Sequence, residues 1–448
     1  MQPSVGKPFF LTALILLCAG LIFGVWSSIY YIAPANGGTY PGFVALRPFH
    51  VSSMMFWILL GAIGAVYYGL QQLSGGRLSP AVARAQWALW LFAIGGIFLS
   101  YMGHRFGGRE YWEFSPAWAL PIALAWLLFG VNFAKAARMI SRWPVYVWMW
   151  MTGILFFFFA FTENYLWLFP YFREHFVTDM TIQWKVNGST VGAWNQLIYG
   201  VSFYLMERIS KDSKVGHSRL AFAMYFLGLF NLMFNWGHHI YTVPTPEYVR
   251  YTGYLVSMTE WIIFLRIIYN WKSSLTDAQK HYHYFPYRFL MAADLWVFLN
   301  LSQALLMSIP ALNLYTHGTH VTVAHAMGTT IGINTMILFA ACFEFLGEGN
   351  QACQAGNRTL NASFRTAQGA LLVFWLSLNI AGIQKGLWQM DPGEVYFREM
   401  MNGLRSWFWI FAASGLVLAT ALLVLAGTIL RTAWRRRPET GETLSAMR

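Results

Sequence analysis

The stretch Thr316-His317-Gly318-Thr319-His320-Val321-Thr322-Val323-Ala324-His325-Ala326-Met327-Gly328 opens an apolar run that continues to about residue 346. A bilayer-spanning helix needs roughly 20 mostly apolar residues, and the run from His320 onward meets that length. Imidazoles at the head of such a helix are costly in lipid unless something partners them. Working outward from it, the same criterion of length and apolarity marks twelve candidate spans, at about 8–33, 48–72, 83–102, 116–138, 143–166, 181–207, 219–243, 248–271, 287–309, 320–346, 364–386 and 404–430. The fold expected is all-α: a polytopic membrane protein of twelve transmembrane helices forming one domain over residues 1–448, with 431–448 as a short basic tail.

Composition agrees. The chain is 57% hydrophobic, 18% aromatic and 11% charged, whereas a soluble domain carries about 25% charged residues. An ordinary soluble fold, a disordered chain and a secreted disulfide scaffold are all excluded by those figures. Cys18, Cys342 and Cys353 are too few for a disulfide framework, and the first two sit in apolar runs as small hydrophobes. The first run begins after Lys7 without a small-residue cleavage pattern, so it reads as a retained helix.

The net charge of +12 becomes informative once it is placed. Most of the basic residues fall at the termini and in the even-numbered loops, including Arg138, Arg142, Arg208, Lys211, Lys214 and the Arg435–Arg437 cluster. The minority on the other side comprises Arg47, Arg105, Arg109, Arg173, Lys185, Arg250, Lys385, Arg398 and Arg405. Basic residues mark the cytoplasmic side, so both termini are expected in the cytoplasm of a cell whose inner membrane holds the protein. The positive charge is a topology signal, and it argues against nucleic acid as a partner.

With that orientation the informative histidines share one depth, in the outer third of the membrane. His50 opens the second span, His238 and His239 close the seventh, and His317, His320 and His325 enter the tenth. A lone intramembrane histidine ordinarily hydrogen-bonds a backbone carbonyl; several from three helices at one level point to a metal or haem iron. His238 and His239 lie about 100° apart on a helix, so both reach one ion only beside a helix end or between two faces. His325 and Met327 are about 200° apart and point to opposite sides. Both residue types are axial haem ligands, so one helix can separate two haems, although Met is also ordinary membrane filler and 20 are present. His281 and His283 have the spacing of a loop metal site but no third ligand nearby, and read as solvated.

On these residues the chain resembles the haem–copper oxidase superfamily, and within it the cytochrome b subunit of bacterial nitric oxide reductases. The resemblance runs through Gly6-Lys7-Pro8-Phe9-Phe10, His50, Gly108-Arg109-Glu110-Tyr111-Trp112-Glu113, Gly237-His238-His239, Ser257-Met258-Thr259-Glu260, Tyr315-Thr316-His317-Gly318-Thr319 and Ala381-Gly382-Ile383-Gln384. It implies a subunit I-like bundle with two haems b: a low-spin one on His50 and a high-spin one on His325, with His317 in the cofactor-binding Thr-His-Gly-Thr motif. It further implies a non-haem metal, usually iron, on His238 and His239, a calcium ion held partly by Glu110, and haem propionates paired with Arg109. Glu260 with Ser257 matches a buried acid–hydroxyl pair, for which proton delivery is the natural role.

Three departures qualify that picture. Aligned on Gly192-Ala193-Trp194, the family's metal-binding His and Glu of the sixth span are here Asn187 and Val191, with Asn195 replacing a further acid. Val cannot ligate, and an amide oxygen is a weaker donor than imidazole or carboxylate, so the second metal is expected to be weakly held, different or missing. Lys185 adds a charge nearby, either snorkelling to the interface or standing in for a lost cation. Met327 stands where the family has the second histidine of the low-spin haem, and Met ligation raises haem potential.

The function implied is an oxidoreductase acting on nitric oxide. Reduction to nitrous oxide consumes two NO, two electrons and two protons, with the second metal stabilising the charge of the coupled intermediate; dismutation to dinitrogen and oxygen needs no net electrons, and the nitric oxide dismutase-like members share substitutions on the same span. The alternative is a non-catalytic electron-relay subunit of a respiratory complex, and a plain transporter leaves the histidines unexplained. Cys-x-x-Cys-His is missing, so electrons are expected from a membrane-anchored cytochrome c subunit or another outer-face electron-transfer subunit. The long N-terminal extension of quinol-fed relatives is also missing, which argues against direct quinol oxidation.

Overall fold

The computed structural model describes residues 4–33, 42–257, 261–347, 350 and 353–435. Among the described residues the chain is helical throughout, with no strand beyond an isolated bridge between Arg109 and Trp112. The principal helices are α1 (Lys7–Ile32), α2 (Phe43–Leu73), α3 (Pro80–Met102), α4 (Ala119–Ala137), α5 (Val145–Glu163), α6 (Phe176–Ser210), α7 (Arg219–Phe234), α8 (Glu247–Ser257), α9 (Trp261–Ser274), α10 (Tyr284–Ser308), α11 (His320–Met327), α12 (Met336–Gly347), α13 (Arg358–Met390) and α14 (Arg405–Arg435). Their starts follow capping chemistry: Ser79 accepts from Val82 N–H ahead of Pro80, and Ser218, Thr319 and Asn357 accept from the first turns of α7, α11 and α13.

Ten of the described segments are long and apolar enough to cross a membrane. The sixth and eighth expected spans are not among them. The sixth is α6, 35 residues long but interrupted by Asp179, Gln183, Lys185, Asn187 and Asn195. The eighth is divided between α8 and α9, each shorter than a span. Glu260 lies outside the described residues, as does the basic tail beyond residue 435.

Burial sorts the helices into a centre and a rim. In their most apolar 18-residue stretch, 83% of residues in Phe43–Leu73 and 89% in His320–Gly347 are buried, against 33% in Pro80–Met102 and 44% in Lys7–Ile32. The central pair are the helices that carry His50 and His325, so the histidines face protein and not lipid. The His320–Gly347 span is continuous but irregular: α11 passes into a π-helical segment, Gly328–Thr335, before α12. Its cause is local. The Asn300 amide donates to the His325 carbonyl (3.0 Å) and to Thr329 Oγ1 (2.8 Å), drawing that carbonyl off the regular ladder.

At the opposite end of the bundle His283 corrects the expectation of a solvated residue. It is 8% exposed, and Nδ1 donates to Glu344 at 2.7 Å, while Arg208 Nε holds the other carboxylate oxygen at 2.6 Å. A charge buried in a membrane bundle needs such partners; Glu344 lies 61 residues away in sequence, so loop spacing carried no hint of it.

Candidate functional site

A cavity of about 690 Å³ opens among α1, α2, α6, α7 and the α11–α12 span, within the roughly 300–1,000 Å³ usual for ligand sites. Its walls include His50, His325, Met327, His238, His239 and His320. Residues from three distant parts of the sequence thus converge, as their common depth predicts.

His50 sits on α2 with its ring against Gly24 of α1; a Cβ at residue 24 would come within 2.7 Å of Nδ1. Because a carbonyl only accepts, Nδ1–H donates to Gly20 O at 2.8 Å, which fixes the tautomer and leaves the Nε2 lone pair for a ligand. His325 and Met327 both line the cavity from α11. The Nδ1 of His325 is buried without a hydrogen-bond partner.

The turn after α7 is what lets two adjacent histidines meet. Asn235–Ile240 is a 3₁₀ segment at the helix end, and Gly237 packs against α8 so closely that a Cβ there would lie 2.7 Å from the Val249 carbonyl. The His238 and His239 ring centroids are 4.2 Å apart. His238 Nδ1–H points to the Ser257 hydroxyl at 3.3 Å, and Ser257 hydrogen-bonds Asn235 Oδ1 at 2.5 Å and the Gly253 carbonyl at 2.7 Å. Ser257 therefore orients His238. His239 stacks on Trp184 of α6, whose other contact is His317. His317 is 5.8 Å from His239 between centroids, its Nε2 buried and unpartnered, and burial lowers its basicity. His320 turns away, toward Tyr31 OH at 3.0 Å and Phe408.

Asn187 is buried on the cavity wall, its Oδ1 accepting from Gln183 Nε2 at 3.1 Å while its Nδ2 has no partner. In this arrangement its oxygen is engaged by Gln183 and its N–H is unsatisfied. Val191 and Asn195 line the same wall. Lys185 pairs with Glu163 Oε1 at 2.6 Å and does not line the cavity, so its charge is spent at the rim, on the snorkelling side of the two readings.

The loop after α3 is a tight turn. A Cβ at Gly108 would collide with the Trp112 carbonyl, and Tyr111 adopts φ 70°. Trp112, fully buried against Phe157 and Phe161, anchors it. Glu110 reaches the cavity, 3.5 Å from Arg47 Nη2, and Glu113 hydrogen-bonds Arg47 Nη1. Burial pushes the Glu113 carboxyl up to about 7 against the opposing pull of Arg47. Arg109 instead pairs with Asp179 Oδ2 of α6 at 2.8 Å, lies over Trp167, and does not line the cavity. Arg47 is the cavity-facing cation; one turn before His50 on α2, it stood in the sequence at a position that helical spacing alone makes a neighbour of the site.

The donors fit haem: a tautomer-fixed imidazole over a glycine cradle, a second imidazole and a thioether on one helix, and an arginine at the rim. They fit a second metal less well. Among the described residues, of which Glu260 is not one, no group of three His, Cys, Asp or Glu side chains is gathered about a common point.

Comparison with known proteins agrees with this architecture. The family described as Cytochrome C and Quinol oxidase polypeptide I matches residues 4–437. The chain is 25% identical to a nitric oxide reductase subunit from Stutzerimonas stutzeri, over 94% of this chain and 93% of that one. It is 23% identical to a cytochrome c oxidase subunit 1 homolog of Agrobacterium tumefaciens (strain T37), over 95% and 83%. A heme-copper terminal oxidase dimer solved by cryo-EM superposes with a TM-score of 0.76 at 14% identity, covering 97% of this chain and 84% of that one.

Proposed function

Because the chain belongs to the cytochrome c and quinol oxidase polypeptide I family, we propose that it is a membrane haem protein of the nitric oxide reductase type. In this reading NO is converted at a high-spin haem b on His325, with His238 and His239 opposite. The observation that carries it is the cavity joining His50, His325, Met327 and the histidine pair. Haem iron, when bound, would relay electrons and supply the coordination position at which NO reacts. His50 through Nε2 and Met327 through its thioether would hold a low-spin haem b. Ser257 keeps the His238 Nε2 lone pair aimed inward, and the Asn187 N–H donates to oxygen of the bound substrate. Arg109 and the cavity-lining Arg47 are the cations that would pair with haem propionates. Glu110, only loosely held by Arg47, is the carboxylate available to a calcium ion. Glu260 delivers protons. Electrons arrive from a membrane-anchored cytochrome c subunit at the outer face of the inner membrane, both termini being cytoplasmic.

A second reading is favoured by one observation, that Asn187 and Val191 are the side chains lining the cavity with His238 and His239 where the family has stronger ligands: an electron-relay subunit with haems and no second metal. NO turnover by the purified complex decides, with nitrous oxide, dinitrogen and oxygen measured together with metal content. Nitrous oxide alone identifies a reductase, and oxygen with dinitrogen a dismutase. Haem iron without a further metal and without turnover identifies the relay.

A further inference from the structure

Helices α3 and α4 belong to the rim of the bundle, and one face of each carries an exposed apolar stripe that ends in cations. On α4 the exposed residues Leu120, Leu124, Leu127 and Val131 follow at spacings of four, three and four, and the same spacing continues into Lys135 and Arg138. On α3 the exposed Leu99, Phe92 and Ala88 lead in the same way to Arg84. Leu120 to Val131 and Ala88 to Leu99 are each eleven residues. That is about 16 Å at 1.5 Å per residue, against about 15 Å for half of a hydrocarbon core. Each stripe has the length of one leaflet, with its charge at the level of the headgroups.

The charged ends are fastened together. Ser79 N–H donates to Asn132 Oδ1 at 2.8 Å, and Asn132 Nδ2 donates to the Ser79 carbonyl at 3.2 Å, which pins the start of α3 beside the last turns of α4. Arg84, Lys135 and Arg138 are five, three and six residues from that joint, and Arg77 precedes it by two. The Trp143 indole donates to the Ala137 carbonyl at 3.0 Å and lies 5.0 Å from the exposed Trp148 between ring centroids, turning the segment that holds Arg142 back toward the end of α4. Indoles are enriched where membrane meets water. Arg77, Arg84, Lys135, Arg138 and Arg142 are all exposed, and among the described residues none of them forms an ion pair. Their own stretch of chain offers no counter-ion: from Ser74 to Thr162 the acids are Glu110 and Glu113, at the opposite end of α3. Glu207, beside the start of α5, accepts from Tyr146 at 3.0 Å. Elsewhere at the same end Arg208 and His283 share Glu344, and Lys280 holds Asp277. Retention of loops on one side accounts for basic residues there; it does not require them to converge on one lipid-facing joint without a counter-ion.

We propose that this joint binds the headgroup of an anionic phospholipid, its phosphodiester oxygens taken by Arg84, Lys135 and Arg138, with Arg77 and Arg142 around them and the acyl chains along the two stripes. Arginine offers paired N–H donors to phosphate oxygens and lysine a point charge, and every basic residue near the surface adds to the attraction for an anionic lipid. A zwitterionic lipid offers the same chains but cancels its phosphate with its own ammonium, so it gains less. Neither the haems nor the direction of insertion enters, and no bond is made or broken.

The test is titration of lipid into the purified full-length protein in detergent, followed by the thermal unfolding midpoint and by native mass spectrometry. Phosphatidylglycerol and diphosphatidylglycerol are expected to raise the midpoint saturably and to stay bound in the mass spectrum, and phosphatidylcholine and inorganic phosphate to do neither. K135Q/R138Q is expected to weaken the apparent affinity for the anionic lipids at least tenfold, R84Q to act in the same direction, and K135R/R138K to restore binding. R365Q, at an exposed cation near the start of α13, is expected to leave it unchanged. Equal affinity in wild type, K135Q/R138Q and R84Q overturns the proposal, as does an equal response to phosphatidylcholine or to inorganic phosphate alone. An equal loss in R365Q reduces the effect to general surface charge and overturns it as well. A dimer that K135Q/R138Q dissociates, with no lipid held by wild type, assigns the face to a second copy of the chain and likewise overturns it.

Discussion

Met327 and Glu113 show how much a single side chain settles at this site. If Met327 ligates the haem on His50, the thioether favours the reduced iron and raises the potential relative to two imidazoles. Replacing it by histidine is then expected to lower the potential of the low-spin haem by on the order of 100 mV or more and to move its near-infrared charge-transfer band to the bis-histidine position. A redox titration with near-infrared dichroism checks both, and a bis-histidine spectrum in the unsubstituted protein overturns the ligation. Glu113 sets a pH dependence with an unusual sign. Its carboxyl is raised to about 7 by burial, so between about pH 4.5 and 7 the native loop keeps a proton that the unfolded chain has released. Stability therefore falls as pH rises through that window and levels off above it, by on the order of 3 kcal/mol at most. Thermal unfolding of wild type and E113Q across pH 4.5–8 should show the slope in the first and a smaller slope in the second.

The elements explain why parts of the site were legible in sequence and parts were not. Helical periodicity put His325 and Met327 on opposite sides of one helix; the structure places both on the lining of one cavity. The convergence of His238 and His239 required a helix end, and the 3₁₀ turn after α7 supplies one. What periodicity could not carry was contact between distant helices: Arg47 with Glu113, Arg109 with Asp179, and His283 with Glu344 are separated by 66, 70 and 61 residues. The π-helical segment was equally invisible, since it depends on Asn300 of α10 reaching the His325 carbonyl. That element makes its own prediction. Gly328 has no room for a side chain: a Cβ there would overlap Asn300 Oδ1. G328A is expected to displace Asn300, cost about 1–3 kcal/mol of stability, and shift the spectrum of the haem proposed on His325. N300A, which removes the obstacle and the hydrogen bond together, should restore much of the stability to G328A and none of the spectrum. Melting curves and absorption spectra of the two single variants and the double variant measure this coupling.

At the scale of the whole molecule, sparse charge is what orients the bundle. The polar ends of the helices separate into two sets. One carries Arg208, Lys211, Lys214 and the start of α10; the other carries Arg47, Arg109, Lys185 and the histidine cavity. Basic residues concentrate in the first set, and each Lys or Arg near a helix end resists translocation. The loop before α7 is therefore expected to face the cytoplasm and the loop between α13 and α14 to face outward. Ser213 and Glu394 are exposed in these two loops. With S213C and E394C made singly in a chain whose native cysteines are replaced, a membrane-impermeant maleimide should label E394C in intact spheroplasts and S213C only in inverted vesicles. The reverse pattern would turn the cavity toward the cytoplasm. The electron donor would then have to dock on the inner face.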